Sequence, residues 1–210
     1  MHLSFAVETI LKGLMLGFSI AAPVGPIGVL CIRRTLARGF KSGFVSGLGA
    51  ASADALYGII AAAGLTLVAD FLVSQQLWLG LVGSGLLLYL GIKTLCSLPA
   101  TAGAPAETNS AGGDYFSTLL LTISNPMTIL MFAVVFGGMG TRSGGNFRLN
   151  AFLLVLGVFS GSALWWLLLS AAVSLLREKV DARMMLWINR IAGCVIFGFG
   201  LYLLLRLITH

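Results

Sequence analysis

The sequence predicts an all-α membrane protein with six transmembrane helices, arranged as two inverted repeats of three helices each. Its composition is 58% hydrophobic and only 10% charged, with a mean hydropathy of +1.00. Soluble domains contain about a quarter charged residues. Two of the long apolar runs are interrupted by proline, at Pro23–Pro26 and at Asn125–Pro126. Because proline removes a backbone donor and clashes with the preceding turn, we predict a broken helix at both positions.

Six apolar segments are each long enough for a membrane helix, which needs about 20 residues. They are residues 13–32, 42–69, 71–92, 115–141, 149–176 and 184–205. Little of the chain is left for a soluble domain. No basic region precedes the first segment, so we expect a mature span there rather than a cleaved signal.

The middle of the chain separates two similar halves. Residues 97–114 are rich in Pro, Gly, Ser and Ala, which is typical of a flexible linker. They divide a first three-helix repeat, residues 1–96, from a second, residues 115–210. Matches at a nearly constant spacing are Val45 with Val155, Gly47 with Gly157, Ser52 with Ser162, Trp78 with Trp187 and Gly91 with Gly200. Because each repeat has an odd number of spans, the second is expected to insert inverted, as in many secondary transporters.

Lysine and arginine residues determine the predicted orientation. The loops after the first, third and fifth spans hold nine of the 13, with Arg33, Arg34, Arg38 and Lys41 expected in one short loop. The positive-inside rule then places these loops in the cytoplasm and both termini outside. The net charge of +6 does not indicate nucleic-acid binding, because no basic face with interleaved aromatic residues exists.

Asp54 is the acidic residue that lies clearly inside an apolar segment. Such a residue usually faces a cavity or a partner, because its exposure to lipid is costly. Burial disfavours the charged carboxylate and a nearby cation favours it, so Asp54 is predicted to exchange a proton for a cationic group. The structural alternative is a carboxylate held at a contact between small-residue helices, or paired with Lys12 or Arg190.

The two proline breaks complete the candidate site. A half-helix N-terminus presents N–H groups to an anion such as a carboxylate, and freed carbonyl groups accept hydrogen bonds from an ammonium group. The alternative is a simple proline kink, which membrane helices tolerate. The predicted substrate-binding and coupling residues are Pro23, Gly25, Pro26, Asp54, Thr122, Ser124, Asn125 and Pro126.

Other chemistry has little support in the sequence. The three cysteines, Cys31, Cys96 and Cys194, stand singly, so neither a zinc ribbon nor a dithiol redox site is predicted. No metalloprotease, hydrolase or phosphate-loop motif is present, so we expect no enzyme activity, no metal and no cofactor. The four tryptophans are expected at the membrane interfaces or in helix packing. They are Trp78, Trp165, Trp166 and Trp187.

Four stretches, taken in order, carry a family pattern. They are residues 21–30, 53–57 (Ala-Asp-Ala-Leu-Tyr), 86–93 (Leu-Leu-Leu-Tyr-Leu-Gly-Ile-Lys) and 124–132 (Ser-Asn-Pro-Met-Thr-Ile-Leu-Met-Phe). Together they resemble the lysine exporter (LysE-type) translocator family. Many members carry a lysine after the second Asn-Pro, where this sequence has Met127. Asp54 is similar to the acid of members that handle cationic amino acids.

The resemblance implies an exporter of amino acids or similar small solutes in a bacterial inner membrane. It implies transport driven by an ion gradient, with proton antiport as the expected coupling, and no organic cofactor. The expected partners are an amino-acid substrate, a proton, the lipid bilayer and, through the small-residue helix faces, a second copy in a homodimer. The alternatives are a metal-cation exporter of the same superfamily, a membrane electron carrier and a membrane subunit without cargo.

Overall fold

The computed structural model describes residues 2–23, 25–62, 74–97, 110–125, 128, 132 and 147–209. Within these ranges the chain forms seven α-helices and no strand, which confirms the all-α prediction. The helices are α1 (His2–Ala21), α2 (Pro26–Arg38), α3 (Phe40–Ala62), α4 (Gln76–Leu95), α5 (Ala111–Ile123), α6 (Phe147–Leu176) and α7 (Ala182–Thr209). A short 3₁₀ turn, Arg177–Lys179, joins the last two.

Four helices, α3, α4, α6 and α7, are long and apolar enough to cross a membrane. The bent pair α1 and α2 makes a fifth candidate span if the two are taken together. With 13 residues, α5 is about 20 Å long and does not reach across a hydrocarbon core of about 30 Å. Most of the predicted fourth span beyond α5 lies outside the described residues, so the six-span arrangement stays a prediction.

Glycines bring α1 and α6 into backbone contact. A Cβ added at Gly17 would lie 2.0 Å from the Val158 carbonyl oxygen, and one at Gly161 would lie 2.0 Å from that of Leu14. Neither position has room for a side chain, so the two helices pack as closely as membrane helices with small residues at their contact do. The two helices run parallel, since Gly157 meets Ile10 one turn before Gly161 meets Leu14.

The helices α4 and α7 form a second glycine-lined contact and run antiparallel. A Cβ at Gly91 would lie 2.7 Å from the backbone nitrogen of Phe197, and one at Gly200 would lie 3.0 Å from that of Leu88. The contact of Gly91 with Phe197 corresponds to the contact of Gly200 with Leu88. A shift of 109 positions takes Gly91 to Gly200 and Leu88 to Phe197, so each contact becomes the other when the halves are exchanged.

The prediction that Arg33, Arg34, Arg38 and Lys41 lie in one short loop after the first span is wrong, and Lys41 belongs to the first turn of α3. The break at Pro23–Pro26 starts a new helix, α2, which continues to Arg38 and buries both Arg33 and Arg34. The chain reverses at Gly39 alone, whose φ of +92° favours glycine. The predicted orientation therefore rests on the remaining basic residues.

A buried ionic cluster fastens α2 to α3 and α5. Asp114 is 2% exposed, and its carboxylate lies 2.7 Å from Arg38 Nη2 and 3.4 Å from Arg34 Nε. Ser42 Oγ donates a hydrogen bond of 2.6 Å to the second carboxylate oxygen. Arg34 also donates to the Ser46 hydroxyl at 2.8 Å. The helix α5 begins at Ala111, so Asp114 belongs to its first turn although the sequence placed it at the end of the linker.

Candidate functional site

The first proline break ends α1 and points a new helix start into the protein. The axes of α1 and α2 differ by 83°. Gly25 precedes α2 in extended conformation without a side-chain cap, and Pro26 is the first helical residue, where proline costs no hydrogen bond. The first turn of α2 therefore lies at the cavities described below, which Gly25, Pro26 and Ile27 all line.

The second break follows α5. The helix ends at Ile123, and the Asn125 N–H donates to the Thr122 carbonyl at 3.2 Å, which closes the last turn. The Tyr57 hydroxyl of α3 donates to the Ile123 carbonyl and so satisfies one acceptor at the helix end. Asn125 in turn accepts the Thr128 N–H at 3.1 Å. Pro126 lies outside the described residues.

Asp54 lies on α3 and is 3% exposed. Ser162 Oγ of α6 donates a hydrogen bond of 2.7 Å to its Oδ2. The two basic residues considered as partners lie elsewhere. Lys12 pairs with Glu8 at 2.6 Å, and the Arg190 guanidinium lies 5.8 Å from the centre of the Trp187 ring. Within the described part of the chain, Asp54 is thus held at the α3–α6 contact by a hydrogen bond from an uncharged donor.

Two adjoining cavities lie between the two proline breaks, and residues of both breaks line each cavity. The smaller, of about 80 Å³, has Asp54 among its lining residues, and the larger, of about 290 Å³, extends along α4 and α7. The walls that the two have in common are Ile20, Pro23, Gly25, Pro26, Ile27, Asn125 and Thr128. Small-molecule sites occupy roughly 300–1,000 Å³, so the pair together has the size of a site for a small solute.

The structure brings most of the predicted site residues together. Those that line the smaller cavity are Pro23, Gly25, Pro26, Asp54, Thr122 and Asn125. Ser124 lines the larger cavity, beside Asn125. Three separate segments of the sequence, the two breaks and the part of α3 around Asp54, therefore line the same cavity, and the binding role of these residues stays a prediction.

Several residues of the cavity walls were not predicted from the sequence, among them Thr128, Trp166 and Arg206. Thr128 lines both cavities, Trp166 lines the smaller and Arg206 the larger. The prediction of a packing role for Trp166 is confirmed, since it belongs to a buried core cluster with Ala21 and Ala50. Its place in the cavity wall, one helical turn from Ser162, was not predicted. No sequence signal distinguished Arg206 from a basic residue at the end of a span.

Comparison with known proteins gives two matches. A family model described as LysE type translocator matches residues 18–207. The chain is also 30% identical over 201 residues to the "Putative amino acid efflux protein YcgF" of Bacillus subtilis (strain 168), covering 91% of this chain and 93% of that protein. No solved structure matches the chain.

Proposed function

Because the chain belongs to the LysE type translocator family, we propose that this multi-pass membrane transporter is a secondary exporter of amino acids coupled to proton antiport. The relative described as an amino acid efflux protein supports this cargo. The observation that carries the proposal is a buried carboxylate, Asp54, in a cavity whose walls come from both broken helices.

The coupling follows from competition at Asp54. The ammonium group of an amino acid pairs with the ionised carboxylate, while the substrate carboxylate meets the start of α2 near Gly25 and the amide of Asn125. A proton that reaches Asp54 from the opposite side neutralises it and releases the ammonium group. Ser162 holds the carboxylate in place through both states.

Alternating access arises from movement of one three-helix half against the other in the cytoplasmic membrane, with both termini outside. The helix pairs support this part of the proposal. When the halves are exchanged, α1 corresponds to α5 and α6 corresponds to α3. The α1–α6 contact therefore corresponds to the α5–α3 contact, and the two helices of each pair pack against each other. The antiparallel α4–α7 contact is its own counterpart, as inverted copies require.

Counterflow in proteoliposomes tests the transport function. Vesicles containing the purified protein are loaded with one unlabelled amino acid, and uptake of the same labelled amino acid is followed with and without a proton gradient. We expect uptake several-fold above protein-free vesicles for at least one amino acid, with stimulation by the gradient. Absence of exchange across neutral, acidic and cationic amino acids, from protein that remains folded in the vesicles, would contradict the proposal.

A further inference from the structure

Trp166 presents a buried donor that none of the described residues satisfies. The side chain is 4% exposed, and its indole Nε1–H has no hydrogen-bond acceptor among the described residues. An indole nitrogen can only donate, and buried tryptophans usually find an acceptor. Trp166 is among the residues that line the smaller cavity, and a Cβ added at Gly47 would meet its Cβ, Cγ and Cδ2 atoms.

The smaller cavity is complementary to the head group of an amino acid. Asp54 supplies a negative charge for an ammonium group, and Trp166 supplies a donor for a carboxylate oxygen. Thr122, Asn125 and Thr128 add polar groups to the same walls. A volume of about 80 Å³ is several times the roughly 10–15 Å³ that one water requires, so a head group of a few heavy atoms fits.

The larger cavity is left for the substrate side chain. Much of its wall is apolar and comes from Ile20, Leu87, Leu121, Phe199 and Leu203. Among the described residues that line either cavity, Arg206 is the only basic one, and it lies on the wall of this larger chamber. A cationic side chain placed against this apolar wall would lose part of its hydration, which disfavours binding.

Resting on the proposed function, we infer that Trp166 donates to the substrate carboxylate in the smaller cavity and that the larger cavity selects large apolar side chains over cationic ones. The substrates are then neutral amino acids of the size of leucine or methionine. Asp54 is used for the ammonium group common to all amino acids, and its presence does not mark lysine or arginine as cargo.

The Trp166→Phe variant tests the carboxylate contact, because it keeps an aromatic ring and removes the N–H. Competition against labelled leucine is measured with leucine and with isoamylamine, which is leucine without its carboxylate. We expect the variant to bind leucine about tenfold more weakly than the parent, as loss of one hydrogen bond to a charged group predicts. Its affinity for isoamylamine should fall much less. A general packing defect would weaken both equally and would overturn the assignment.

Trp165→Phe is the matched control for this variant. Trp165 is the neighbouring residue, packs edge-on against Phe18 at 5.3 Å and is not among the residues that line the cavities. We expect it to bind leucine as the parent does. An equal loss of leucine affinity in both tryptophan variants would also overturn the assignment.

Selectivity is tested by competition of leucine, methionine, lysine and arginine in the same vesicles. We expect leucine and methionine to compete at least tenfold better than lysine and arginine. A preference for lysine overturns this inference and leaves the exporter function standing, while no exchange of any amino acid overturns both.

Discussion

Replacing Asp54 by Asn is expected to reduce counterflow of every accepted amino acid by about 10- to 100-fold. Asparagine has nearly the same shape and still accepts the Ser162 hydrogen bond, but it has no charge for an ammonium group. Loss of one charge-assisted contact of about 1.5–3 kcal/mol gives a decrease of that size. The measurement is initial exchange rate per folded protein in proteoliposomes.

The matched control is Glu8→Gln, which also removes one carboxylate charge. Glu8 lies on α1, is largely exposed and pairs with Lys12 outside the cavities. Its exchange rate should stay within about twofold of the parent, since exposed ion pairs contribute little. An exchange rate of Asp54→Asn equal to that of the wild-type protein would show that Asp54 has no part in the transport cycle.

Replacing Asp114 by Ala is expected to cost about 3–5 kcal/mol of stability. The substitution leaves the buried Arg34 guanidinium without its carboxylate, and an uncompensated buried charge has this cost. Ser42 and Arg38 lose an acceptor at the same time. The effect is measured as the shift of the unfolding transition of the purified protein in detergent micelles.

A second variant separates the charge from the packing. Asp114→Asn retains the volume and one acceptor oxygen, so it should lose a large part of the same stability through charge alone. Glu8→Ala, which breaks the exposed pair with Lys12, should lose less than about 1 kcal/mol. Unfolding of Asp114→Ala at the wild-type midpoint would show that the cluster is not a stabilising element.

The sequence was sufficient to locate both breaks and the acidic residue. Proline at Pro23–Pro26 interrupts a helix through local backbone chemistry, and the structure ends α1 and starts α2 around it. A lone acid among small residues has few stable environments in an apolar helix, so burial of Asp54 on α3 could be anticipated.

The sequence could not show which helix faces meet. Arg34 was assigned to a loop because basic residues after an apolar run normally lie outside the membrane, but its partner, Asp114, is 80 positions away, at the end of the predicted linker. The same limitation applies to the prediction of the positions of Trp166 and Arg206. Their place in the cavity walls depends on how α6 and α7 pack against the two breaks, which no local pattern encodes.

The most direct test of the central claim, that proton and substrate compete for Asp54, is proton release on substrate binding. A pH indicator follows the purified protein in weakly buffered detergent solution as leucine is added over a pH series. We predict release of about one proton per bound substrate at the acidic end, a smaller release as pH rises, and none from Asp54→Asn. Saturable binding of substrate by the wild-type protein without proton release at any pH would contradict the account.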